Sequence, residues 1–126
     1  MNKYRDKSDF EINKAVAEHY LPCDYRYNEN DKIVELTGVD ISCEFGSCIV
    51  IEKEHVYGKF DPCNNPADAM PIIIENCIGL LPYRNSQPIA FDLRKGLGRG
   101  FSIKNKNIYR AAMELFLMMK DAENEK

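Results

Sequence analysis

The amino-terminal part of the chain has the hydrophobic spacing of an amphipathic helix. Residues on one stripe recur at intervals of three and four: Ile12, Ala15, Val16, His19 and Tyr20. This spacing is typical of an α-helix that buries one face. Ser8 and Glu11 fit a capping box, in which the serine hydroxyl accepts from a free N–H of the first turn. Pro22 ends the helix, because proline has no N–H to donate.

The carboxyl-terminal part has the most extended apolar pattern. Its main stripe follows a possible cap at Asn107 and consists of Ile108, Ala111, Ala112, Leu115, Phe116 and Met119. This spacing predicts a helix with Leu115 and Phe116 buried. Because Met113, Leu117 and Met118 lie off the stripe, the helix is apolar over most of its circumference. We therefore expect a homo-oligomer, most simply a dimer, with this helix at or near the interface.

Between these helices the pattern changes to the alternation of β-strands. Residues 33–36 are β-prone, and every second residue is apolar at Val39, Ile41, Cys43 and Phe45. Gly46-Ser47 predicts a turn, after which residues 48–51 return as a second strand that extends toward Tyr57. Three further strands are predicted at residues 78–83, 87–93 and 101–103.

The segment from Asp61 to Pro71 contains three prolines and marks a break between the strands. Asn65 followed by Pro66 fits a helix cap with proline at the first helical position. Because Pro71 cannot donate an interior helical bond, we predict a turn at residues 66–70 and a helix that starts at Pro71. The isoleucines at positions 72–74 are expected to enter the core. The order of elements predicts an α+β fold, an antiparallel sheet with an N-terminal helix, a short central helix and a C-terminal helix packed on it.

Composition favours one domain that covers residues 1–126, because 44% of the 126 residues are hydrophobic. The formal net charge of −3 disfavours nucleic acid as a partner, since binding to it depends on a strong positive field. No run approaches the roughly 18 apolar residues of a membrane span, and the polar first ten residues are not a signal peptide. These features predict a cytoplasmic protein without membrane attachment.

Five cysteines, an odd number, predict reduced thiols in a cytosol: Cys23, Cys43, Cys48, Cys63 and Cys77. The Cys43 and Cys48 thiols could meet across a hairpin, or both residues could be small buried groups. No spacing of a zinc site and no set of acid, base and nucleophile is present. We therefore expect no metal, no cofactor, no catalytic residues and no enzymatic activity.

Two loops are candidates for ligand contacts. In the segment 94–100, Arg94, Lys95 and Arg99 surround three glycines, which would let a phosphate approach the backbone; the pattern favours a plain hairpin loop over such a phosphate contact. The polar segment 60–68 contains either binding residues or helix caps.

Three segments resemble the NinX-like proteins of lambdoid phages. The central one comprises residues 60–62 (FDP) and 65–76 (NPADAMPIIIEN), and the flanking ones comprise residues 8–17 (SDFEINKAVA), 110–113 (RAAM) and 116–122 (FLMMKDA). The resemblance implies a phage or prophage accessory protein of the bacterial cytoplasm. The layout of helices is also distantly similar to phage anti-defence proteins that trap the cyclic ADP-ribose-type signals of Thoeris immunity.

These features support two hypotheses. The first is a non-enzymatic protein that sequesters a nucleotide-derived small molecule. Its candidate ligand-binding residues are Phe60, Asp61, Asn64, Asp68, Tyr83, Arg94, Arg99 and Arg110, with the arginines on phosphate and Phe60 or Tyr83 on a base. The alternative is a protein-interaction adaptor that acts on a host or phage complex.

Overall fold

The computed structural model describes residues 2–22, 24–43, 50–82, 85–96 and 98–124. These contain three helices and six strands in the order α1 (Asp9–Tyr20), β1 (Tyr25–Asn28), β2 (Ile33–Cys43), β3 (Val50–Phe60), α2 (Pro66–Glu75), β4 (Ile78–Leu81), β5 (Ile89–Asp92), β6 (Ser102–Lys104) and α3 (Ile108–Asn124). The predicted α+β class is confirmed. The strands form two three-stranded antiparallel sheets in place of the one sheet that we expected.

The first sheet has the order β1-β2-β3. Tyr25 pairs with Leu36 at the end of β1, whereas β2 and β3 continue to pair as far as Cys43 and Val50. The two long strands therefore match the predicted ones, and the turn predicted at Gly46-Ser47 lies outside the described residues. Strand β1 was not predicted, because its alternation of tyrosines with polar residues covers only four positions.

The second sheet has the order β4-β5-β6, with strand ends within three residues of the predicted ones. Gly79 of β4 lies opposite Phe91 of β5. A Cβ atom at Gly79 would lie 2.5 Å from Cζ of Phe91. The phenyl ring thus occupies the space of a side chain, so position 79 requires glycine.

Both predicted caps of the outer helices are present. The Ser8 hydroxyl accepts from the N–H of Glu11 at 3.2 Å, and Asn107 Oδ1 accepts from the N–H of Tyr109 at 3.0 Å. One position of the α1 stripe differs from the prediction, since His19 is exposed while Asn13 is buried. The burial of Asn13 is compensated by its side-chain hydrogen bonds, which are described below.

Helix α2 is one continuous helix, so the start that we predicted at Pro71 is wrong. Asn65 caps it through the N–H of Ala67, and Pro71 lies inside it. The interior proline is tolerated because Pro71 and Ala67, four residues earlier, are both exposed, which leaves the freed carbonyl open to water. Ile74 was expected in the core but is 68% exposed.

Helix α3 lies at the centre of the core and packs against α1, α2 and the second sheet. Leu115 and Phe116 are buried, as predicted. Met113 and Leu117 are also fully buried. Contacts within one chain thus account for the apolar circumference of α3, and Leu117 is not available for the interface in which we expected it.

Among the described residues, no helix is long and apolar enough to cross a membrane.

Candidate functional site

A buried arginine joins the start of the chain to α3. The side chain of Arg110 is 8% exposed and forms ion pairs with Asp9 at 2.6 Å and Glu114 at 2.8 Å. Its Nη2 also donates to the carbonyls of Tyr4 at 3.0 Å and Lys7 at 2.6 Å. Burial opposes the charge, but the hydrogen bonds to the two carboxylates outweigh it and raise the pKa of Arg110.

The partner of this arginine, Glu114, is only 1% exposed. Besides Arg110, it accepts from Nδ2 of Asn2 at 2.6 Å and from Nδ2 of Asn105 at 3.4 Å. A buried carboxylate is tolerated when it is both paired and hydrogen-bonded, and Glu114 meets both conditions.

The loop after β3 is tied to α1 through side-chain amides. Asn13 donates to Asp61 at 2.8 Å and accepts from the N–H of Cys63 at 3.2 Å. Asn64 donates to Asp9 and to Asp61, each at 3.2 Å.

The same loop is tied to α2 and α3. Asp68 accepts from the N–H of Asp61 at 2.9 Å, and Asn107 donates to Oδ1 of Asn64 at 3.1 Å. The predicted residues Asp61, Asn64 and Asp68 therefore lie together, but their partners in the structure are other protein groups.

Cys63 is fully buried within this network. Burial raises the pKa of its thiol, and the nearby Asp9 raises it further. Because the thiolate is the reactive form, Cys63 is a poor nucleophile.

A small pocket of about 100 Å³ opens beside this loop. Its lining includes the predicted residues Phe60, Asp61 and Asn64, and Lys32 and Lys59 add positive charge. Sites for small ligands occupy about 300–1,000 Å³, so this pocket is too small for a nucleotide. Phe60, which we expected to stack on a base, is 4% exposed.

The arginine–glycine loop lies between β5 and β6. The carboxylate of Asp92, which is buried, accepts from the N–H of Arg94 at 3.1 Å. Gly96 and Gly98 both have a φ of +85°, a conformation that favours glycine. Arg94 and Arg99 are exposed. Arg110 contacts neither of them in the described part of the chain, and Tyr83 lies outside that part.

A larger open pocket separates the amino-terminal segment, residues 2–7, from β6. We call it the β6 pocket; it has a volume of about 650 Å³ and is lined by Asn2, Arg5, Asp6, Gln87, Ser102, Ile103, Lys104, Asn105, Lys106 and Glu114. Arg5, Lys104 and Lys106 are exposed, and none forms an ion pair with another described residue. Because Glu114 is paired with Arg110, three unpaired cations face one unpaired carboxylate of the described residues, that of Asp6.

A second open pocket, of about 680 Å³, lies at the start of α1. Two of its lysines are already paired, Lys7 with Glu11 at 3.8 Å and Lys14 with Glu29 at 3.4 Å. The charge balance therefore favours the β6 pocket for an anion. Sequence reasoning missed that pocket, because its cations come from distant parts of the chain and follow no local motif.

The fold and these pockets define a small α+β protein with a cationic cleft between its amino-terminal segment and its second sheet. The family model described as Bacteriophage P22, NinX matches residues 3–120. The chain belongs to this NinX family and is therefore a phage accessory protein. No curated protein and no solved structure shows a significant match to the chain.

Proposed function

We propose that this NinX-family protein is a non-enzymatic accessory protein that binds and sequesters a small nucleotide-derived anion in the cytoplasm of the bacterial host. The observation that supports this best is the charge of the β6 pocket. Arg5, Lys104 and Lys106 line it, and no carboxylate of the described residues pairs with them. An anion with two or more phosphate charges would complete this arrangement.

The size and the polar groups of the β6 pocket fit the same class of ligand. A volume of about 650 Å³ is in the usual range for small-molecule sites. Arginine can bind a phosphate with two parallel hydrogen bonds, while each lysine acts as a point charge. The amide of Gln87 can both donate to and accept from a base or a ribose.

The residues that line the β6 pocket fit a protein that binds a ligand without converting it. The charged and polar residues of the pocket supply hydrogen bonds and positive charge, and the lining contains no paired nucleophile and base. The one buried thiol of the described residues, Cys63, belongs to the network beside the small pocket.

Calorimetry against cyclic ADP-ribose isomers and cyclic oligonucleotides tests the proposal. We expect binding by the wild-type protein and a loss of at least tenfold in affinity for Lys104→Glu/Lys106→Glu, since two attractive contacts become repulsive. The control is Arg94→Glu/Arg99→Glu, which changes the net charge equally in the arginine–glycine loop and also breaks the ion pair of Arg94 with Asp92 at 3.4 Å.

Two results would count against the β6 pocket. No heat with any of these ligands at high micromolar wild-type protein contradicts sequestration of this class. Loss of binding only in Arg94→Glu/Arg99→Glu would indicate that the ligand binds at the arginine–glycine loop, where we first predicted phosphate contacts.

The alternative, a protein-interaction adaptor, is favoured by the edge position of β3 and by two exposed apolar side chains on it. Among the described strands, β3 forms one edge of its sheet, and Val56 and Tyr57 are 41% and 56% exposed. A partner could add a strand to such an edge. Pull-down from infected cells with wild-type protein and Tyr57→Glu is the test. A stoichiometric partner that only the wild type retains supports the adaptor.

The dimer stays a prediction. Because Leu117 is fully buried, an interface on α3 would use its partly exposed residues, such as Met118. Sedimentation at micromolar concentration should show more than a monomer. A monomer across that range contradicts the prediction.

A further inference from the structure

The two walls of the β6 pocket belong to distant parts of the chain, and one carboxylate contacts both. Asn2, on the wall formed by the amino-terminal segment, donates to Oε1 of Glu114 at 2.6 Å across 112 positions of sequence. Asn105, on the opposite wall, donates to Oε2 of the same residue. Glu114 also lines the pocket itself. Its side chain therefore sets the spacing of the walls.

Arg110 fixes Glu114 and the amino-terminal segment together. Its Nε donates to Glu114 Oε2 at 2.8 Å, one helical turn away on α3. Its Nη2 donates to the carbonyls of Tyr4 and Lys7, which flank Arg5 and Asp6. The backbone that presents Arg5 to the pocket is thus held at both sides by a buried guanidinium.

Electrostatic repulsion gives these contacts a function beyond packing. The amino-terminal segment brings Arg5 to the same pocket as Lys104 and Lys106, and like charges repel. Arg110 and Glu114 hold the segment in place against this repulsion. A bound anion removes the repulsion and adds contacts to both walls.

Resting on the function proposed above, we infer that Arg110 and Glu114 are positioning residues that assemble the anion site from its two walls. They hold Asn2 and Arg5 opposite Lys104 and Lys106 without meeting the phosphates themselves. Docking of the segment and binding of the anion are therefore linked, and each stabilises the other.

Hydrogen exchange with and without cyclic ADP-ribose measures this linkage. In the wild type, the ligand should slow exchange of the backbone amides in residues 3–7. Asn2→Ala removes one contact between segment and Glu114, and Arg110→Lys keeps the charge but cannot reproduce the hydrogen bonds of a guanidinium. Asn28→Ala is the matched control, because Asn28 is partly exposed like Asn2 and pairs with Asp31.

We expect Asn2→Ala to weaken binding of cyclic ADP-ribose by roughly threefold to tenfold, as for one lost hydrogen bond. Exchange in residues 3–7 should rise without ligand, while exchange in α3 stays unchanged. Arg110→Lys should show the same pattern more strongly, and Asn28→Ala should match the wild type. Because Asn2 is outside the core, its result stands even if Arg110→Lys fails to fold.

The outcomes separate the two proposals. If the wild type binds none of the nucleotides, the proposed function fails and the inference fails with it. If the wild type binds but Asn2→Ala and folded Arg110→Lys bind equally well, the pocket is a ligand site that Arg110 and Glu114 do not assemble. If ligand leaves exchange in residues 3–7 unchanged, the linkage is absent and the inference is also overturned.

Discussion

At the scale of single residues, the buried polar side chains of the described residues form hydrogen bonds and ion pairs mainly with other protein groups. Arg110 illustrates why this was not predictable from spacing. The sequence places it beside two alanines of the buried stripe, but its partners Asp9 and Tyr4 lie more than a hundred positions away. Helical periodicity identifies the face of a residue and cannot identify the distant group that packs there. Asp61, Asn64 and Asp68 lie together because they are close in sequence, Asp61 and Asn64 in the loop after β3 and Asp68 in the first turn of α2.

The ion pair of Arg110 with Glu114 should show strong coupling in stability. Arg110→Met leaves a buried carboxylate without its cation, and we expect a loss of roughly 3–5 kcal/mol in the free energy of unfolding. Glu114→Leu should cost a similar amount. The double variant should lose clearly less than the sum, since both charges leave together. Urea denaturation of the four proteins measures this cycle, and additive losses would show that the pair does not act as a unit.

The two described free thiols should differ in reactivity. Cys77 is exposed, whereas Cys63 is fully buried and burial raises the pKa of its thiol. Iodoacetamide at pH 8 should therefore label Cys77 in the folded protein and Cys63 only after unfolding. Peptide mass spectrometry after timed labelling gives both rates. Equal rates under native conditions would mean that the loop at Cys63 opens readily.

At the scale of elements, sequence patterns predicted the helices that have clear caps and apolar stripes. They failed for elements whose formation depends on tertiary contacts. The caps at Ser8 and Asn107 and the stripe of α3 predicted both outer helices. The interior Pro71 suggested a break, but the exposed side of α2 tolerates the missing bond. Strand β1 forms by pairing with β2, and its four alternating residues are too short a pattern to predict a strand on their own. The division into two sheets depends on long-range pairing, which alternation alone cannot reveal.

The exposure of two apolar helix residues gives a matched pair of stability tests. Phe116 of α3 is 1% exposed, and Phe116→Ala should lower the free energy of unfolding by roughly 3–5 kcal/mol. Ile74 of α2 is 68% exposed, and Ile74→Ala should change it by less than about 0.5 kcal/mol. Thermal and urea unfolding measure both. A large loss for Ile74→Ala would indicate that this side chain is covered in solution, for example by a second subunit.

At the scale of the whole molecule, the charge of the protein and that of its pocket have opposite signs. The chain has a formal net charge of −3, which repels an approaching anion at long range. Three cations and one unpaired carboxylate line the β6 pocket, a local excess of positive charge that would attract an anion at short range. The proposed site therefore depends on where the charges lie in the fold, and the composition of the chain does not show this.

This opposition predicts how salt affects binding of a nucleotide such as cyclic ADP-ribose. Added salt screens exposed charges, and the screening length falls to about 8 Å at physiological ionic strength. The contacts of phosphate with Arg5, Lys104 and Lys106 are exposed, so screening should weaken them, while it also reduces the long-range repulsion by the net charge. Because the pocket cations are much closer to the ligand, the first effect should dominate.

Titration between about 20 and 300 mM sodium chloride should show a steady fall in affinity. Lys104→Glu/Lys106→Glu should reverse the trend, since salt then screens a net repulsion. Affinity that is independent of salt in the wild type would mean that the bound group is not held by these exposed cations.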